Sequence, residues 1–418
     1  MLGVGSAGAG GAADGGPPTV SAGLSERDAW VVVASVKGIG PVGFAALLRS
    51  FGSARAILDA ALRPGAVSSL VAGGRNNGRL TFDSAVAGEL LARAADPRPP
   101  LAEIEASGVR VITLDDADYP ERLRAIEIPP PILFVRGSVE ALSMQHAVAV
   151  VGTRRATERG RLVASRIGVS IARTGACVVS GLAYGIDGAA QDAVAQAGFV
   201  TVAVLGSGHD RLYPRAHGRL ADKIAAAGGA IVSEFSPLTP PRGDTFPRRN
   251  RLISGLSDAT VVVEAGERSG ALITAGWALE QGRECFVVPG PLDAPRSAGC
   301  LAWLRDMHGQ ARVVAGIPQL IEDLGLLREV APKGARARRP SVDAELIELG
   351  GTARAIAIEL LRGRGTIDEI VGATGLPVAT ALGGLTLLEM RGLATSTYGR
   401  YRAAGSLASA DPASVPAA

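Results

Sequence analysis

Ala147-Val148-Ala149-Val150-Val151-Gly152-Thr153-Arg154 is the stretch on which the reading of the fold turns. The residues Val148–Gly152, three of them valine, have the length and β-branched character of a fully buried strand. A Gly-Thr-Arg turn ends them, and a helical pattern follows over Thr157–Thr174. The same unit then repeats. Apolar runs at Cys177–Ser180, Thr201–Leu205, Ala230–Ser233, Thr260–Glu264 and Cys285–Val288 alternate with helical patterns at Gly188–Gly198, Gly218–Ala227 and Gly270–Gln281. Strands buried on both faces and separated by helices predict an α/β domain over residues 101–330. Its architecture is a Rossmann-like parallel sheet with helices on both faces.

The flanks read differently. Residues 1–22 are mostly Gly, Ala, Ser and Pro, too few large apolar groups to offset their ordering entropy, and are read as a disordered tail. They lack a basic segment ahead of an apolar one, so no secretion signal is read there. Residues 23–95 read as a helical, helix-hairpin-helix or SAM-like domain. Its Gly38-Ile39-Gly40-Pro41 turn opens a helix, where free N–H groups could hold a phosphate, or could simply close a small bundle. Residues 331–341 form a basic, breaker-rich linker, 342–404 a winged-helix domain, and 405–418 a second disordered tail. The helix Val378–Glu389 occupies the recognition position of that winged helix but has almost no Arg, Lys, Asn or Gln. Base edges are read by those side chains, so protein docking or weak DNA contact is the reading, not sequence-specific recognition.

Composition narrows the chemistry. The three cysteines (Cys177, Cys285, Cys300) are scattered, without CxxC, and the four histidines show no metal spacing. Disulfides, zinc and haem are not expected, and no cofactor is assigned. GxxxxGK[ST] is missing, and GxGxxG occurs only at 3–8 and 38–43, outside the strand–helix units, which disfavours a dinucleotide or P-loop nucleotide site. The longest apolar runs are far too short to span a membrane. Net charge is only +3, so any nucleic-acid case must come from local placement. Three of the 43 basic residues are lysine, a bias that makes arginine by itself weak evidence for phosphate binding.

Local placement is informative at the carboxyl ends of the expected strands, where ligands bind in open parallel sheets. These ends are Gly152-Thr153-Arg154, Ser180-Gly181-Leu182-Ala183, Gly206-Ser207-Gly208, Ser233-Glu234, Glu264-Ala265-Gly266 and Pro289-Gly290. Most are small, which lets an extended ligand approach the backbone. The loop Phe246-Pro247-Arg248-Arg249-Asn250-Arg251 offers guanidinium groups for phosphates, an amide, and a ring on which a base can stack. Asp187 reads as a helix N-cap. Glu234 and Glu264 could form an acid pair, but a structural role is the commoner one for such groups.

Taken together, the central motifs resemble the DNA-processing protein family DprA/Smf. They are Tyr119-Pro120 with Leu133-Phe134-Val135-Arg136-Gly137; Val150-Val151-Gly152-Thr153-Arg154; Ser180-Gly181-Leu182-Ala183-Tyr184-Gly185-Ile186-Asp187; Gly206-Ser207-Gly208 with Tyr213-Pro214; and Ser233-Glu234. Phe246–Ser257, Val263-Glu264-Ala265 with Ser269–Thr274, and Val288-Pro289-Gly290 complete the set. The resemblance covers roughly residues 118–300 in the family's order. It implies a cytoplasmic, non-enzymatic homodimer that binds single-stranded DNA without strong sequence preference. It also implies RecA loading over single-strand-binding protein during natural transformation and recombination. The DNA contacts it implies are Arg154, Gly181, Gly208, Phe246, Arg248, Asn250, Arg251, Ser269 and Gly270. Three positions depart from the family pattern: Gln191 stands for a histidine, His217 for an asparagine, and Gly299-Cys300 runs into Leu301-Ala302-Trp303-Leu304. The alternative is a nucleotide phosphoribohydrolase-like enzyme on the same fold, whose Gly-Gly pair and glutamate are missing from Glu264–Leu272.

Overall fold

The protein is described here by a computed structural model, which covers residues 23–326, 346, 349–397 and 400–408. The expected tail at 1–22, the linker at 331–341 and most of the tail at 405–418 lie outside the described residues. The chain divides into two compact units, 1–335 and 336–418.

The first unit opens with six helices: α1 (Glu26–Ala34), α2 (Pro41–Phe51), α3 (Ala54–Ala61), α4 (Ala66–Gly73), α5 (Ser84–Ala95) and α6 (Arg98–Ser107). Ser25 and Asp28 form a capping box on α1, satisfying two of its free N–H groups. Trp30 packs on Phe44 with ring centroids 4.8 Å apart, at the centre of a core that also holds Leu47, Leu58 and Leu90. Glu26 accepts the Trp30 indole N–H and the Ala54 N–H, so one carboxylate ties α1 to the start of α3.

The sheet has nine strands: β1 (Arg110–Thr113), β2 (Ile132–Gly137), β3 (Ala147–Val151), β4 (Cys177–Ser180), β5 (Thr201–Val204), β6 (Ala230–Ser233), β7 (Ala259–Val262), β8 (Glu284–Val287) and β9 (Ala311–Val313). Their spatial order is β9-β8-β7-β3-β4-β5-β6-β2-β1. All six strands expected from the sequence are present. They pair in parallel, for example with Val148 opposite Val178 and Val150 opposite Val261. The sheet is not wholly parallel, however: β2 runs antiparallel to β6, and β1 antiparallel to β2. The β2 run Ile132–Val135 is apolar and buried like its parallel neighbours, so its direction was invisible in composition.

Between the strands lie α7 (Glu121–Arg124), α8 (Glu158–Arg173), α9 (Ile186–Gln196), α10 (Gly218–Ala226), α11 (Thr245–Gly255) and α12 (Gly270–Glu280), and alternating strand residues feed two cores. Ala147, Ala149 and Val151 pack with Leu252 and Ile253 of α11 and with Ala271 and Ala275 of α12. Val148 and Val150 pack on the other face with Ile167 of α8 and Val194 of α9. The strand order reverses at β3. The chain steps outward from β3 through β4, β5 and β6, then returns to place β7 on the opposite side. The helix after β3 and the helix after β7 therefore cover opposite faces, leaving a crevice at the carboxyl ends of those two strands.

The second unit contains helices Gly351–Leu361, Ile367–Thr374 and Val378–Met390, followed by an antiparallel ribbon, Ala394–Thr397 with Arg400–Ala403. Ile356, Leu385, Leu388 and Leu393 form its core. The outer face of Val378–Met390 exposes Val378, Leu382, Leu387 and Met390. No single helix among the described residues is long and apolar enough to cross a membrane.

A candidate nucleic-acid interface at the strand ends

A cleft of about 500 Å³ opens at the β3/β7 crevice. One wall is the Gly152–Arg155 turn after β3; the other is formed by the first turns of α11 and α12. The turn after β3 is held from β7. Glu264 accepts the Thr153 N–H at its carbonyl (2.7 Å) and the Thr157 N–H and hydroxyl at its carboxylate (3.1 and 3.0 Å). Thr157 in turn caps α8, accepting the Gly160 N–H.

This leaves Arg154 and Arg155 exposed at the cleft mouth, with no ion pair to either among the described residues. The Arg154 guanidinium lies 4.8 Å above the Phe246 ring, a cation–π contact that aims a free charge along an aromatic face. Across the cleft, Ser269 caps α12 and Gly270 presents its exposed first turn.

The stretch read as a basic loop, Phe246–Arg251, is helical, lying within α11, and that changes what its side chains can reach. At 3.6 residues per turn, Phe246, Arg249 and Asn250 share one face and Arg248 and Arg251 another. The first set lines the cleft. Asn250 donates to the Gly270 carbonyl at 3.0 Å and so joins α11 to the start of α12. Arg249, which the sequence reading did not single out, is buried beneath the cleft and donates to the Gly181 and Val204 carbonyls. Burial lowers its pKa to about 10, so it stays cationic at neutral pH.

The second set points elsewhere. Arg251 is buried and pairs with Glu234 at 2.5 Å. Arg248 lies over the Phe235 ring and approaches the same carboxylate at 3.4 Å. Neither lines the cleft. Gly181 and Gly208 act through the backbone. A Cβ on Gly181 would sit 2.6 Å from the Arg249 guanidinium and 2.8 Å from the Asp187 carboxylate. One on Gly208 would sit 2.1 Å from the Ser236 and Pro237 carbonyls.

The Asp187 expectation is corrected, whereas Glu234 and Glu264 take the structural roles expected of them, on Arg251 and on Thr157. Asp187 is not an N-cap; it lies in the first turn of α9, after the cap residue Gly185. It folds back to accept the Gly181 N–H at 3.1 Å, and burial raises its pKa despite the nearby Arg249. Glu234 and Glu264 form no pair. They follow β6 and β7, which are separated in the sheet by β3, β4 and β5.

Two departures from the family pattern meet at one residue. Leu182, in the left-handed region at φ +54°, donates its N–H to Gln191 (3.0 Å). Its carbonyl accepts from His217 Nδ1 (2.8 Å).

Fold and site together define a Rossmann-like α/β protein with a cleft at the topological switch point. A family model described as DNA recombination-mediator protein A matches residues 110–325. Protein Smf of Synechocystis is 32% identical over 419 residues, covering 90% of this chain and 99% of its own. Protein Smf of Escherichia coli is 37% identical over 305 residues, covering 72% and 79%. The solved structure of DNA processing protein A (DprA) from Streptococcus pneumoniae superposes with a TM-score of 0.59 at 29% identity, covering 72% of this chain and 98% of that one. The chain belongs to the DprA/Smf family of DNA recombination mediators.

Proposed function

We propose that the cleft binds single-stranded DNA without strong sequence preference, as one step in loading RecA on that strand. The observation that carries this reading is the unpaired, exposed Arg154 guanidinium stacked on Phe246 at the switch point. A guanidinium for phosphate beside a ring for an unstacked base is the recognition chemistry of a single strand. Asn250, Ser269 and Gly270 supply the opposite wall. In this reading Gly181, Gly208, Arg248 and Arg251 support the cleft without touching DNA. Family membership supports the recombination role, with natural transformation, RecA and a homodimeric, cytoplasmic protein as its setting. The exposed apolar face of Val378–Met390 fits protein docking better than base readout. A hydrolase reading gains nothing from Glu264, whose carboxylate is engaged by Thr157.

The test is fluorescence anisotropy of a labelled poly-dT oligomer at two salt concentrations, beside a duplex of equal length. Salt-sensitive binding that favours the single strand supports the reading. Equal or absent binding overturns it. RecA loading is then read as strand exchange on DNA pre-coated with single-strand-binding protein.

A further inference from the structure

Beyond the cleft, the described residues expose two aromatic side chains, Tyr184 (44%) and Tyr213 (42%). Exposed rings lose the stabilisation of apolar burial. With Arg154, Phe246 and Arg249 they line one small gap that continues from the cleft. On its far side the same tyrosines border a groove of about 600 Å³, with Arg211, Arg215 and Leu238.

Both rings are held in place. Tyr213 packs against Phe246 with centroids 5.6 Å apart and a 57° tilt. Tyr184 meets the His217 ring edge-on at 5.0 Å. His217 is itself fixed, because its Nδ1–H donates to the Leu182 carbonyl. Arg211 and Arg215 are exposed and make no ion pair among the described residues. Exposed guanidinium groups and exposed rings thus border one groove a step further along the surface.

We propose that Tyr184 and Tyr213 form a second base-stacking subsite, with Arg211 and Arg215 for the adjoining phosphates. A single strand leaving the Arg154–Phe246 cleft lays its next bases there. This rests on the reading of the cleft as a single-strand site. The occupant is a single strand because its bases are free to leave one stack for another, whereas duplex bases are already stacked and paired. Every base has a π-face, so such a subsite adds affinity without adding sequence preference.

The test uses the full-length protein and two labelled oligomers of equal length, poly-dT and an abasic backbone of the same charge. Tyr184→Leu and Tyr213→Leu should each weaken poly-dT binding by about 5- to 100-fold, the range for one stacked base. Both should leave abasic binding unchanged. Tyr184→Phe and Tyr213→Phe retain the ring and should bind poly-dT like the wild type, which controls for folding. Equal losses on the two oligomers, or no loss on either, overturn the subsite. If the leucine variants bind normally while Arg154→Ala is weakened, the subsite fails and the cleft stands. If the wild type itself does not bind poly-dT, the reading of the cleft fails with it.

Discussion

Arg251 and Glu234 meet at 2.5 Å inside the protein, with side chains only 5% and 2% exposed. Arg251 Nη1 and Glu234 Oε1 find no hydrogen-bond partner in the structure. Such a pair costs much of its own Coulomb energy in desolvation, but removing one member strands the other. Arg251→Ala should therefore destabilise the fold by about 3–5 kcal/mol, read by denaturant unfolding. Arg251→Met with Glu234→Leu should recover much of that loss. A stable Arg251→Ala protein with impaired DNA binding would return Arg251 to the interface.

Arg154 is the counterpart. Exposed and without a carboxylate partner, it contributes little to stability. Arg154→Ala should leave the unfolding midpoint near the wild-type value, because surface changes fall within about 0.5 kcal/mol. Poly-dT affinity should drop, and the slope of log K against log salt should flatten by about 0.7, the value for one single-strand phosphate. An unchanged slope would remove Arg154 from the phosphate path.

His209 gives the fold a pH dependence. Its Nε2–H donates to the Phe134 carbonyl at 3.0 Å, and burial pushes its pKa below the ordinary 6.5. Below that pH the unfolded chain takes up a proton that the folded chain resists. Its contribution is thus complete above pH 6.5 and is lost as pH falls through the lowered value. Melting temperature should decline as pH falls below about 6.5, and less steeply in His209→Gln. Asp187, its pKa raised by burial, acts with the opposite sign, but comparing the two proteins cancels it. Parallel curves would show that His209 titrates alike in both states.

The thiols should be silent in the native protein. Burial pushes Cys177 up to about 12, and Cys285 and Cys300 up to about 11, so almost no thiolate exists at neutral pH. Ellman's reagent should react slowly with the folded protein and count three thiols after denaturation. Rapid native labelling at Cys285 or Cys300 would mean that the α12 side of the sheet opens readily.

The six central parallel strands were legible because each is a short valine-rich run ending in small residues. The antiparallel direction of β2 was not, since a buried strand has the same composition whichever way it runs. At the cleft, Phe246 and Asn250 are legible from residue type and place, whereas Arg154, Ser269 and Gly270 enter through the family resemblance. Arg248 and Arg251 face away from the cleft because Phe246–Arg251 is helical; a loop reading, in which any side chain can face a ligand, does not separate them. Helical periodicity separates residues 246, 249 and 250 from 248 and 251, and it would also have found Arg249. Tyr184 and Tyr213 carried no local signal. Their meaning comes from proximity to Phe246 across 62 and 33 residues of sequence.

Glu264 holds the Thr153 backbone with its own backbone, and α8 with its side chain. It also ends the strand that leads into α12. The turn that carries Arg154 is thus hung from the chain that runs on into α12, so the two walls share one point of attachment. The gap between them works like a fixed calliper. For the single strand proposed above, such a gap would gauge the thickness of the chain and not the order of its bases.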